Sequence, residues 1–212
     1  MSCCQCEGLA QEFDDEFAAG ELRQYREKGL RRTSRVLVEA IRERMNGAET
    51  LLDIGGGVGG IQLELLEAGV RRAVSVDAAP AFVAAAQVEA LRQGVADRID
   101  HRFGNFVELA DEVEPADVVT LDRVICCYPD MRALVGASAA RARRIYGAVL
   151  PRSTWWTRIG VRFANLIMRM RRSSMRGFVH PTEEVDAVLR REGFRLAFLE
   201  RGFIWQVLVY VR

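Results

Sequence analysis

Apolar positions along the chain follow two periods, and their alternation predicts the architecture. Short runs of strand character sit at residues 50–54, 72–76, 99–103, 117–121, 145–150, 195–200 and 204–211. Between them, apolar residues recur every three to four positions, the period of a helix with one buried face. One such helix follows the first run to about Ala68 and stops at Gly69; Pro80 opens the next, which runs to about Arg92 and stops at Gly94. Met131–Arg141 and a helix from Pro181-Thr182-Glu183-Glu184 to about Arg191, stopped by Gly193, complete the series. Upstream, residues 7–19 read as an acidic helix with Phe13 and Phe17 on one face, and 21–28 as a second short helix ended by Gly29. Val36, Leu37, Ala40, Ile41 and Met45 then mark a helix over Arg35–Met45, with Thr33 or Ser34 as its cap. Alternating strands and helices predict a parallel, doubly wound α/β sheet. The last two runs are expected to pair antiparallel.

The most specific segment is Leu51-Leu52-Asp53-Ile54-Gly55-Gly56-Gly57-Val58-Gly59-Gly60, a buried strand feeding a glycine-rich turn and a helix. The next strand ends in an acid, Asp77. This pairing describes a nucleotide-type cofactor at the sheet edge: bare backbone approaches the ligand, and the carboxylate accepts from two ribose hydroxyls. Gly55, Gly57 and Gly60 satisfy the dinucleotide pattern G-x-G-x-x-G, which alone permits NAD. Asp53 tips the choice, because a carboxylate at the strand end repels a diphosphate and suits a cationic ligand. The pattern Asp53-x-Gly55-x-Gly57-x-Gly59 resembles motif I of the class I S-adenosylmethionine (SAM) methyltransferases.

That resemblance implies a Rossmann-like, doubly wound, seven-stranded sheet, mostly parallel with the last strand antiparallel. It implies a SAM-binding methyltransferase domain over 49–212, an N-terminal helical cap over 1–48, and a helical lid inserted at 151–178. It implies cofactor contacts from Asp53, Gly55, Gly56, Gly57, Gly59, Asp77 and Ala78. It adds Asn105 and Phe106 after the third strand, where the family carries Gly-Asp and the polar residue meets the adenine amino group. Leu121 and Asp122, ending the fourth strand, should face the methionine part.

The loop Asp122-Arg123-Val124-Ile125-Cys126-Cys127-Tyr128-Pro129-Asp130, the insertion, and Phe178-Val179-His180-Pro181 resemble the magnesium-protoporphyrin O-methyltransferases in layout. That group carries His-Tyr-Pro after strand four. Here Cys127 stands for the His and the loop is one residue longer. The acceptor side is expected to comprise Tyr25, Arg123, Cys126, Cys127, Tyr128, Trp155 and Trp156; Arg31 and Arg32 lie near the expected entrance, where an arginine could pair with the methionine carboxylate.

Composition narrows the class. The 212 residues, 50% hydrophobic with net charge +1, make one domain with a sizeable core and no general nucleic-acid binder. No run approaches the roughly 18 apolar residues of a membrane span. The N-terminus lacks signal-peptide character, so a cytoplasmic setting with reduced thiols is expected. The insertion interleaves Trp155, Trp156, Ile159, Phe163, Leu166, Ile167, Met168 and Met170 with seven arginines. It reads as an amphipathic helix: a lid over the acceptor, a surface helix packed on the sheet, or peripheral membrane contact through 152–176.

Five cysteines fall into two clusters, Cys3, Cys4 and Cys6, and Cys126 with Cys127. If they met, they could hold a metalloid, although no resident metal is expected. Direct in-line transfer from SAM to a small carboxylate or hydroxyl acceptor is the leading reading, since an anionic acceptor needs no general base. Metalloid- or thiol-directed methylation and a non-catalytic SAM-binding protein stand beside it. A short-chain NAD dehydrogenase lacks its Tyr-x-x-x-Lys pair, as Lys28 is the only lysine.

Overall fold

The structure, a computed structural model, describes residues 8, 9 and 11–212. Seven strands form one sheet: β1 (Thr50–Ile54), β2 (Arg72–Asp77), β3 (Ile99–Phe103), β4 (Ala116–Asp122), β5 (Ala142–Pro151), β6 (Arg195–Arg201) and β7 (Trp205–Val211). Their order is β3-β2-β1-β4-β5-β7-β6. Pairings from β3 through β5 are parallel, and β7 runs antiparallel to both neighbours. This is the doubly wound, mostly parallel sheet that the alternation of elements predicts, with its chain reversal between β1 and β4.

Each strand feeds two cores because successive side chains point to opposite faces. Leu52 and Ile54 of β1, Val119 and Leu121 of β4, and Tyr146 and Ala148 of β5 face one side. Leu51, Val118, Ile145 and Val149 face the other. Burial on both faces explains why the central strands read as continuous apolar runs.

Three helices cover the second face: α2 (Arg32–Arg42), α3 (Gly60–Glu67) and α4 (Pro80–Arg92). The first face carries α5 (Phe106–Leu109), α6 (Met131–Ala140) and α8 (Thr182–Arg191). Helix α1 (Asp15–Lys28) packs on α4, and α7 (Trp155–Met170) lies in the insertion. No described helix is long and apolar enough to cross a membrane.

The N-terminal helices differ from expectation in two ways. The helix break falls at Asp14, whose carboxylate caps the Phe17 N–H at 2.9 Å, and α1 then runs unbroken through Gly20. Helix α2 starts at Arg32, without a side-chain cap, so neither Thr33 nor Ser34 caps it. Both hydroxyls turn instead toward the end of β4. Leu37, Val38 and Ile41 of α2 are fully buried against β5 and β7. Each such side chain contributes about 1.5–3 kcal/mol, so α2 belongs to the sheet's own core, and a boundary at 48/49 does not separate two cores.

Candidate active site

The carboxyl ends of β1, β2 and β4 meet around a cavity of about 370 Å³. Gly55, Gly56, Gly57 and Val58 form its floor. Two of these glycines are required for different reasons. A Cβ on Gly56 would lie 2.3 Å from Gln62 Nε2 and 2.5 Å from Ser75 Oγ. Gly57 sits at φ +54 with nothing within 4 Å of its Cβ position, so a side chain there would be strained and would occupy open space at the cavity.

Beneath the loop lies a polar network. Asp53, essentially unexposed, accepts from Thr120 Oγ1 at 2.6 Å and from Gln62 Nε2 at 3.1 Å. Gln62 Nε2 also donates to Ser75 Oγ at 2.7 Å. Burial, opposed by those two hydrogen bonds, pushes the Asp53 carboxyl up to about 7. Asp53 reaches the cavity lining, yet both oxygens are engaged in bracing the loop. The carboxylate expected to face a cationic ligand thus also braces the loop, each oxygen accepting one hydrogen bond.

Asp77 ties the second strand to the loop. Its Oδ2 accepts the Gly57 N–H at 2.9 Å and its Oδ1 the Ala79 N–H at 2.8 Å. Burial raises this carboxyl to about 6 against the pull of those backbone donors. The Gly104 N–H donates to the Asp77 carbonyl at 2.9 Å, which fixes the β3 loop beside β2. Asn105 caps α5, its side-chain oxygen accepting from Val107 N at 3.2 Å and its amide donating to the Tyr128 hydroxyl at 3.3 Å.

At the end of β4, Asp122 Oδ2 accepts from the Ser34 hydroxyl at 2.5 Å, while Oδ1 is buried without a hydrogen-bond partner. Arg123 Nε lies 3.7 Å from Oδ1 and likewise makes no hydrogen bond. Burial raises the Asp122 carboxyl; Arg123 and Ser34 oppose the rise. Arg123 adopts φ 62, rare for a non-glycine residue. Three contacts hold it there: its N–H donates to Val149 O, Nη2 donates to Thr33 Oγ1 at 2.7 Å, and the guanidinium lies 5.4 Å from the Trp205 ring centroid.

The cover comes from the N-terminal segment. Leu9, Phe13, Phe17, Glu21, Gln24 and Tyr25 line the cavity. Phe13 and Phe17 form an aromatic cluster with Phe82 of α4, with centroid separations of 5.2, 5.3 and 6.1 Å. Helix α1 is anchored by Arg26, which donates to the buried Glu89 carboxylate at 2.8 Å. Arg92 chiefly, with Gln93 and Arg26, holds that carboxyl down at about 2 against the cost of its burial.

A family model described as the O-methyltransferase domain matches residues 8–150. The chain belongs to the O-methyltransferase domain family. It is a class I SAM-dependent methyltransferase. Among solved structures, it is similar to the magnesium protoporphyrin IX methyltransferase of Synechocystis PCC 6803 with bound S-adenosylhomocysteine: 18% identity, TM-score 0.72, covering 96% of this chain and 98% of that one. An O-methyltransferase family protein from Burkholderia thailandensis matches at 18% identity and TM-score 0.71 over 95% of this chain. Mitomycin 7-O-methyltransferase matches at 19% identity and TM-score 0.66 over 98% of this chain. Only 61% and 60% of those last two chains are covered. At these identities the structural likeness is one of fold. No curated protein sequence matches.

In this methyltransferase the expected residues fall into three groups. Asp53, Gly55, Gly56, Gly57, Asp77, Ala78, Asn105, Phe106 and Asp122 line the cavity, as do Tyr25, Arg31, Arg123, Cys127 and Tyr128 from the expected acceptor side and entrance. Gly59 and Leu121 support it from behind, Leu121 being fully buried in the core. Cys126, Trp155 and Trp156 do not line it. Cys126 turns to the Arg123 carbonyl at 3.2 Å, its thiol pushed up by hydrogen bonding to Cys127 and by burial. Trp155 is 70% exposed, and Trp156 stacks on Phe203 at 5.8 Å. The two tryptophans of the 151–178 insertion thus add no aromatic cover to this cavity, which has Phe13 and Phe17 in its lining. Arg32 points away and pairs with Glu200. Cys3, Cys4 and Cys6 lie outside the described residues, and among the described residues no cluster of three His, Cys, Asp or Glu could hold a metal.

Gln62, Ser75 and Thr120 escaped sequence reasoning, and Ser34 reads in sequence only as a helix cap. Each is a common polar residue in an apolar helix or strand, and only the three-dimensional pairing with Asp53 or Asp122 gives it a role. The Phe13–Phe17 spacing did announce an apolar face, but its partner Phe82 could not be read from it.

Proposed function

We propose that this enzyme transfers the methyl group of SAM directly to an oxygen of a small acceptor, a carboxylate or a hydroxyl. The observation that carries the reading is the family match over residues 8–150 together with the glycine loop, Asp77 and Asp122 around one cavity. The cavity suits the cofactor: three successive glycines in its floor, an acid at the end of β2, and a buried carboxylate oxygen on Asp122 lacking a hydrogen bond. On this reading Asp77 takes the ribose hydroxyls, Asn105, Phe106 and Ala78 flank the adenine, and Asp122 faces the ammonium of the methionine part. Arg31, held by Glu21 at 2.5 Å, stands where it can release that partner for the methionine carboxylate. Bound SAM supplies an electrophilic methyl carbon on a sulfonium leaving group.

The protein's own task is then alignment and exclusion of water. Tyr128 and Cys127 position the acceptor, Arg123 neutralises an acidic one, and the Phe13–Phe17–Phe82 cluster keeps water from the cavity. In this reading helix α1, with Leu9 and Phe13 before it, acts as the cap, and the setting is cytoplasmic with reduced thiols. Cys127 at the lining and 3.8 Å from Cys126 keeps a thiol-linked acceptor as a second reading.

Incubating the reduced enzyme with methyl-labelled SAM and a panel of aromatic carboxylates, phenols and arsenite tests the choice. Label in the carboxylates or phenols, retained when Cys3, Cys4 and Cys6 are replaced by alanine, supports oxygen methylation. Label in arsenite alone, lost in that variant, supports the second reading and sinks the first.

A further inference from the structure

The insertion turns its apolar residues outward. Trp155, Ile159, Phe163, Leu166 and Met170 of α7 are each more than half exposed, at 53–70%. At about 100° per residue these five positions fall on one stripe roughly a quarter-turn wide. Arg158, Arg162 and Arg169 run along one margin of that stripe, and Arg171 lies beyond the other. At the start of the helix, Trp156 stacks on Phe203, itself 75% exposed, so the patch continues onto the β6–β7 turn with Ile204. Thr157 is the one buried residue of α7, which marks the opposite face as the one against the protein.

The charge of this segment is one-sided. Between Pro151 and Pro181 there are seven arginines and not one Asp or Glu, in a chain whose net charge is only +1. Among the described residues no acidic group lies within ion-pair distance of Arg158, Arg162, Arg169, Arg171 or Arg172. An exposed apolar stripe of this size calls for an occupant. A second copy of the chain, seated stripe to stripe, would bring arginine rows together with no acid between them. An anionic bilayer answers both features: headgroup phosphates receive the guanidinium forks, and the interfacial layer receives Trp, Phe and Leu. At 16 residues, α7 is short for a span and suited to lying in the plane of the surface.

We infer that α7 and the Phe203–Ile204 turn dock this methyltransferase on an anionic phospholipid surface. The docked face is tied to the acceptor side of the cavity, because the Phe178 N–H at the end of the insertion donates to the Cys126 carbonyl at 2.7 Å. Cys127 and Tyr128 follow directly and line the cavity.

Co-sedimentation of the full chain with lipid vesicles tests this without reference to cofactor or methyl transfer. The vesicles are phosphatidylcholine alone, or with about 30 mol % phosphatidylserine. Binding to the anionic vesicles only, weakened by salt and accompanied by a blue shift of tryptophan emission, is the expected result. The Ile159→Ser/Phe163→Ser and Arg158→Gln/Arg162→Gln pairs should each weaken it about tenfold or more. All four positions are exposed, and a melting curve like that of the parent confirms that the variants fold. Absence of binding to anionic vesicles at low salt overturns the inference, as does unchanged binding by both variants. A dimer in sedimentation equilibrium that Phe163→Ser abolishes, without vesicle binding, would assign the stripe to a second copy instead.

Discussion

The Ser34 hydroxyl donates to Asp122 Oδ2 across 88 residues of sequence, joining the first turn of α2 to the end of β4. That bond orients a buried, cavity-lining carboxylate whose other oxygen has no hydrogen bond. Ser34→Ala removes the donor and leaves a buried acceptor unsatisfied, a loss of about 1–3 kcal/mol. Urea unfolding should show that loss, and SAM affinity should fall with it. An unchanged midpoint and affinity would mean that the bond is incidental.

Asp77 makes two backbone hydrogen bonds to the loop and its own strand end, with Gly57 and Ala79. Replacing it by alanine removes the proposed ribose acceptor and slackens the loop that forms the floor. SAM binding should weaken by about 1.5–3 kcal/mol, the range for charge-assisted hydrogen bonds. Titration calorimetry on the variant reads this directly. A Kd within twofold of the parent would remove Asp77 from the cofactor site.

The loop network gives a stability-versus-pH signature. Asp53 is raised from 3.8 to about 7 in the folded protein, chiefly by burial. Between those values the folded state holds a proton that the unfolded chain has released, so stability falls as pH rises from about 4 to about 7 and levels above. Asp77, raised to about 6, acts in the same direction. Glu89, lowered to about 2 from 4.5, acts oppositely and only in acid, where its stabilisation is lost as pH falls through that range. Asp53→Asn should flatten the slope above pH 4 and melt higher than the parent at alkaline pH. Gln62 Oε1, buried without a partner, can accept from the new amide once the Gln62 side chain flips. Melting temperatures of both proteins across this range decide it, and parallel curves would contradict the assignment.

Trp155 and Trp156 lie outside the cavity. The Trp155→Ala/Trp156→Ala variant should therefore bind SAM like the parent, within about 0.5 kcal/mol as for surface changes generally. A large loss measured by calorimetry would bring the two tryptophans into the cofactor site.

Much of this was legible in the sequence because each signal was local. The strand at Thr50–Ile54, the helix from Pro80 to Arg92 and the glycine loop each depend on residues a few positions apart, and Asp77 simply ends the next strand. What stayed hidden depends on distant pairs. Asp53 looks in sequence like a carboxylate offered to a cation, and only its partners Thr120 and Gln62 reveal a brace. The insertion's period correctly implied an amphipathic helix, but period alone cannot say whether the apolar stripe faces a cavity or the solvent. The N-terminal break falls elsewhere for a similar reason: Gly20 is a poor helix former by itself, yet the helix runs through it, and Asp14 supplies the actual cap.

On the proposed reading the glycine loop at Gly55–Val58 holds SAM. Calorimetric titration of the parent and of Gly57→Val with SAM, using NADH as control ligand, tests it most directly. The φ of +54 at Gly57 strains any β-branched residue by about 1–3 kcal/mol, which the fold should tolerate, while the added side chain occupies the ligand's approach. The parent should bind SAM with a roughly micromolar Kd, the folded Gly57→Val variant should not bind it, and NADH should give no heat. Equal SAM affinity in parent and variant would show that the cofactor binds elsewhere.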